Sequence, residues 1–175
     1  MATTISVPSS GYGSPYLDSL IAGGKWDADS DWAGDPIKYF FQSGPGHPAW
    51  TGTEIAAFET ALGLVKSFTN LQFDPAATNQ ANFVWQKDSN SQIGSGILGW
   101  HDLPFGGSQL EGHFNYQHET WQHLNQGGYG FITIMHELGH GLGLDHPHDG
   151  DQRFPGVNIL PTPAISASIK VSGRR

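Results

Sequence analysis

The chain contains no cysteine. Disulfide frameworks, thiolate catalysis and cysteine-based metal sites are therefore excluded. Basic residues are scarce: Lys and Arg number 8 against 16 Asp and Glu, for a formal net charge of −8. That balance argues against nucleic acid and acidic membrane surfaces as partners. No apolar run approaches the roughly 20 residues that a membrane span needs. The start, MATTISVPSSGYGS, has neither a basic opening nor an apolar core, so it does not read as a cleavable signal peptide. Methionine occurs only as Met1 and Met135. No glutamate follows Glu137, and no tyrosine follows Tyr129.

What is present is histidine, nine in 175 residues, within a composition that is 37% hydrophobic and 12% aromatic. That length and mix suit one domain with a proper core. The run HELGHGLGLDHP, His136 to Pro147, is the most informative. His136 and His140 are four apart, so on a helix they lie roughly 40° apart and point the same way. Glu137 sits one step round, able to reach a water without ligating a metal. Gly143 suits the left-handed turn that ends a helix, and His146 then arrives from beyond it as the well-spaced third ligand, with His148 close behind as the alternative. Three neutral imidazoles leave a tetrahedral zinc one open position, the mark of a catalytic site rather than a structural one. The competing explanation is a surface helix that happens to carry histidines. A zinc site with a downstream glutamate as third ligand fails, because no such glutamate exists.

Hydrophobic periodicity supplies the elements around this run. Ile37 to Phe41 reads as the first strand, closed by the Ser43 to Gly46 turn. Thr51 with Glu54 forms a capping box for a helix whose stripe is Ile55, Phe58, Leu62, Val65 and Phe68. Further strands are expected at Leu71–Phe73, Asn82–Gln86, Ile97–Leu103 and Gly112–Gln117. The second long helix runs from Tyr129 to Leu142, with a core stripe of Ile132, Met135, Leu138 and Leu142. Residues 1–15 read as a flexible lead. Asp27, Asp29, Asp31 and Asp35 read as a solvated acidic loop rather than a calcium site. His113, His118 and His123, weighed as a second metal site with Glu111 or Glu119, read as solvated loop histidines; His47 stands alone in a turn.

The motif His136, Glu137, His140, Gly143, His146 is the metzincin zinc signature. Pro147 after the third histidine, the lead-in Gly127 to Met135, and Tyr16 to Asp27 resemble the serralysin family of secreted bacterial metalloproteases. The resemblance runs over residues 16–156. It implies an α+β metzincin (zincin-like) N-terminal subdomain: a twisted five-stranded mixed sheet with an antiparallel edge strand, and two long helices on one side. It also implies zinc-dependent endopeptidase chemistry. Zinc would be held by His136, His140 and His146, with Glu137 as general base. A protein or peptide substrate would lie along the edge strand, with Gly99, Trp100 and His101 as candidate contacts. For Trp100 and His101 the competing assignment is a partly buried aromatic beside a solvent histidine. The family is extracellular, and the chain is expected to be a monomer.

The chain departs from the family pattern downstream. The methionine turn after the third histidine, the tyrosine that follows it, and the calcium-binding glycine/aspartate repeats have no counterpart in this sequence. Calcium is thus implied for the full-length family only. Residues 157–175 match nothing recognisable and carry Lys170, Arg174 and Arg175. Truncation of a longer protease is the expectation. The alternative function is a zinc-binding remnant without turnover.

Overall fold

The computed structural model describes residues 2–6, 13–27, 35–105 and 108–146. Pro147, the tail, and Asp29, Asp31 and Trp32 of the acidic loop lie outside the described residues. In chain order the elements are β1 (Thr3–Ser6), α1 (Pro15–Asp18), β2 (Gly24–Asp27), β3 (Ile37–Phe41), α2 (Gly52–Phe68), β4 (Phe73–Pro75) and β5 (Phe83–Asp88). They continue with α3 (Asn90–Ile93), β6 (Gly99–His101), β7 (Leu110–Asn115), a 3-10 turn at Glu119–Gln122 and α4 (Tyr129–Gly141). None of the described helices is long and apolar enough to cross a membrane.

Five strands form one sheet in the order β4-β3-β5-β7-β6. β6 is antiparallel to β7, whereas the other pairs are parallel. This is the expected mixed sheet with an antiparallel edge. β5 lies at its centre, and all six of its residues are buried, as a strand covered on both faces requires. A second, two-stranded sheet pairs β1 with β2. The sequence reading leaves Thr3–Ser6 in a flexible lead; in the structure it is paired.

One row of side chains explains how the sheet receives both long helices. Strand register aligns Phe41, Trp85, Gly112 and His101 across four strands. Phe58 of α2 packs on Phe41, Trp85 and Phe114, with ring centroids 5.3, 4.6 and 4.9 Å away. Fully burying each such ring contributes about 2–3 kcal/mol. At the other end of the row, His101 supports Gly141 of α4. Both helices therefore lie on one face.

Local chemistry fixes the helix ends. Both halves of the capping box form: Glu54 N–H donates to Thr51 Oγ1 (3.3 Å) and Thr51 N–H to Glu54 Oε2 (2.7 Å). The same carboxylate accepts from Lys87 Nζ on β5 at 2.8 and 3.0 Å and from Trp121 Nε1 at 2.8 Å. Burial pushes Glu54 up, but these donors hold it below the usual carboxylate value. Two stripes are rotated from expectation. Phe68 is exposed, and α2 buries Ala57 and Ala61 beside Phe58, Leu62 and Val65. On α4 the buried line is Phe131, Ile134 and Leu138, whereas Ile132 is 51% exposed. Ile132 lies one turn before His136, so it shares the open histidine side rather than the core side.

Candidate metal and catalytic centre

α4 carries two of the three histidines, one turn apart, and the chain then reverses. Leu142 N–H reaches Leu138 O, Gly143 N–H reaches His140 O, and Leu144 N–H reaches Gly139 O. Gly143 has φ +102°, a conformation that L side chains resist. The reversal returns His146 to the helix. His136 Nε2 then lies 3.0 Å from His146 Nε2 and 3.0 Å from His140 Nε2.

The donor chemistry of this triad fits a metal ion. His140 Nδ1 sits 2.8 Å from the Leu144 carbonyl, which can only accept. The proton is therefore on Nδ1, and the Nε2 lone pair faces the other rings. Nε2 atoms 3.0 Å apart need a proton or a metal cation between them. Tetrahedral zinc with bonds of about 2.0–2.1 Å sets its ligand nitrogens roughly 3.3 Å apart. The histidine triad is also the cluster of potential ligands among the described residues whose donor atoms all converge within 4.8 Å. Burial holds His140 below its ordinary value, which favours the neutral, ligating form.

Glu137 is the next residue on α4 after His136. It is fully buried, and neither carboxyl oxygen has a hydrogen-bond partner. Burial pushes its carboxyl well up. A buried, unsatisfied carboxylate is expensive, and such groups are kept where chemistry uses them. The space it occupies exists because residue 99 is glycine. A Cβ there would stand 3.1 Å from Glu137 Cγ and 3.3 Å from Oε1.

Gly99, Trp100 and His101 form β6, and the Trp100 and His101 side chains take different environments. Bonds from Asp102 N–H to Glu111 O and from Asn115 N–H to Leu98 O set the alternation of the ladder. It leaves the main-chain groups of Gly99 and His101 on the open edge. The His101 ring is neither a groove wall nor solvent-exposed, contrary to both sequence expectations. It is 0% exposed. Its Nε2 accepts from Trp85 Nε1 at 3.2 Å, and its Nδ1 donates to the Asp102 carbonyl at 2.8 Å. Gly112 makes this bond reachable, since a Cβ there would meet the His101 and Trp85 rings at 2.5 and 2.7 Å. Burial pushes His101 down to about 4.

Trp100 faces away from the helices and stacks on His113, centroids 4.0 Å apart. His113 is thus not a solvated loop residue: its Nδ1 lies 2.6 Å from Asp88 Oδ2. His47, which carries no signal in the sequence, bonds to Lys87 O and lies 3.0 Å from Asp88 Oδ1. His118 caps the 3-10 turn through the Thr120 N–H. Residues that the sequence does not single out also reach the centre. Trp26 Nε1 donates to the Gly141 carbonyl at 2.8 Å, and Ile21 pairs with Leu144.

A five-stranded sheet with an antiparallel edge, and a helix bearing two histidines and a glutamate whose third histidine follows a glycine turn, define a metzincin domain. Within that class the chain belongs to the matrixin family, whose model matches residues 31–154. It is 26% identical over 153 residues to macrophage metalloelastase of Oryctolagus cuniculus, covering 74% of this chain and 32% of that protein. It is 28% identical over 109 residues to serralysin A of Dickeya chrysanthemi, covering 59% and 23%. The chain thus spans about a third or less of the length of these relatives.

Proposed function

We propose that the chain carries the catalytic centre of a zinc-dependent endopeptidase that cleaves peptide bonds in extracellular proteins, acting as a monomer of serralysin-like type. The observation that carries this reading is the convergence of three imidazole Nε2 atoms, with the unpartnered carboxyl of Glu137 on the same helix as two of them. His136, His140 and His146 would hold the zinc. When bound, zinc supplies a Lewis acid that polarises the scissile carbonyl and makes water acidic near neutral pH.

The protein groups do the rest. The Glu137 carboxylate accepts a proton from the attacking water at an Oε atom. It then delivers that proton to the nitrogen of the departing amine. The substrate backbone adds to the open edge of β6 through the main-chain groups of Gly99 and His101, in the manner of an extra strand. Trp100 flanks that edge from the face opposite α4. Pairing through main chain gives affinity with little demand on substrate sequence.

The second reading is a chain that holds zinc through the same three histidines without turnover. One experiment separates the two. The chain is loaded with one equivalent of zinc and assayed on casein beside Glu137→Gln. Cleavage is expected in the wild type and a loss of about 10²–10⁴-fold in the variant, with zinc stoichiometry unchanged. Zinc uptake without Glu137-dependent cleavage establishes the second reading instead.

A further inference from the structure

The third histidine lies beyond the helix, so something other than the helix must hold it. Leu144 N–H makes the last bond back to α4, at Gly139 O, and the Gly141 carbonyl takes an outside donor. The stretch from Gly143 to Asp145 is gripped from the N-terminal side of the molecule. Ala22 N–H donates to Gly143 O and Asp145 N–H donates to Leu20 O, each at 2.9 Å. These bonds bracket Leu144, the partner of Ile21. Leu144 is the residue whose carbonyl fixes the His140 tautomer at 2.8 Å.

Two more contacts bind the same segments. Trp26 Nε1 donates to Gly141 O at 2.8 Å, and that indole is 7% exposed, with its ring edge-on to Phe83. Gly24 and Gly143 meet so closely that a Cβ on Gly143 would stand 2.6 Å from Gly24 O. A Cβ on Gly24 would overlap the carbonyl of Pro104.

We propose that Leu20–Trp26 is a positioning strap for the metal ligands, with main-chain bonds from Leu20 and Ala22 setting His146 and the Trp26 indole setting the end of α4 at His140. The strap rests on the three-histidine zinc reading and adds a role for a segment with no metal-binding side chain. Trp26 acts through the ligands and touches no substrate. The strap and the triad lie on distant segments of the chain already joined by these bonds, and zinc held by the triad would strengthen that coupling. By linkage, whatever raises zinc affinity when docked is itself docked more firmly by zinc.

The test compares Trp26→Phe with Trp50→Phe. Trp50 also loses an indole bond, to Gln42 O at 3.0 Å, but its ring packs among Phe41, Phe58, Phe114 and Trp121. Zinc affinity is read by chelator competition, and ligand geometry by the visible spectrum of the cobalt-substituted protein. Trp26→Phe is expected to weaken zinc about tenfold and to shift the cobalt bands. Trp50→Phe is expected to lower the thermal midpoint while leaving both unchanged. In the wild type, zinc is expected to slow amide exchange at Ala22 and Asp145, a measurement that stands even if Trp26→Phe does not fold. Wild-type zinc binding in Trp26→Phe, equal weakening in Trp50→Phe, or exchange at Ala22 and Asp145 indifferent to zinc each overturns the strap. A wild-type chain that takes up no zinc overturns the metal reading, and the strap with it.

Discussion

At the scale of single residues, His101 shows how a polar side chain serves packing when its hydrogen bonds close. Its two nitrogens are satisfied by an indole donor and a backbone acceptor, so it stays neutral in the interior. The consequence is a pH dependence of stability. In the unfolded chain the imidazole titrates near 6.5, but in the folded chain it resists protonation down to about 4. Below pH 6.5 the unfolded state gains a proton that the native state refuses, so stability falls as pH drops through that window. The group's full contribution, about 3 kcal/mol, is present above pH 6.5 and gone near pH 4. His101→Gln in the zinc-free chain should be less stable at pH 7 yet lose less between pH 6.5 and 4. Urea unfolding at stepped pH reads both chains; parallel profiles would refute the assignment.

At the scale of elements, α4 carries three glycines in its last turn and exit, and the structure requires two of them: Gly141 by packing and Gly143 by its φ of +102°. A Cβ on Gly139 would meet Leu144 Cδ1 at 3.6 Å, an ordinary contact. A Cβ on Gly141 would stand 2.6 Å from His101 Cε1. Gly139→Ala should therefore stabilise the zinc-free chain by about 0.5–1 kcal/mol through helix propensity. Gly141→Ala should destabilise it by about 1–3 kcal/mol through overpacking. Urea midpoints decide, and a Gly141→Ala chain as stable as Gly139→Ala would contradict the packing account. These differences also mark what can be read without coordinates. The convergence of His136, His140 and His146, the Thr51–Glu54 box and the span Ile37–Phe41 are legible because each is a local pattern of chemistry or periodicity. The bond from Trp85 to His101 across Gly112 is not, because it depends on strand register. β1 is not legible because Thr3, Thr4 and Ser6 around a lone Ile5 show no strand periodicity, and its pairing with Gly24–Asp27 depends on tertiary contact. The α4 stripe was misplaced because its open side carries Ile132 as well as His136.

At the scale of the whole molecule, the triad sits where distant parts of the chain converge. α4 leans on the sheet through Gly141 and His101, and the exit loop is bonded to Leu20 and Ala22. β2, a few residues on, pairs with β1, and Asn82 Nδ2 ties Ala2 O to the sheet. A metal ion that joins His146 to α4 therefore ties the exit loop and its N-terminal partner to the sheet. Any ligand that binds only the folded state stabilises it by mass action, by about 2.7 kcal/mol at 100 times its Kd. For a chain of this size that corresponds to a rise in Tm of about 5–10 °C. The expected result is a zinc-dependent Tm that a chelator reverses. In His146→Ala the shift should largely vanish, because two histidines on one helix no longer connect the helix to the loop. A full zinc shift in that variant would mean that the loop does not take part in binding, and that the stabilisation arises within α4 alone.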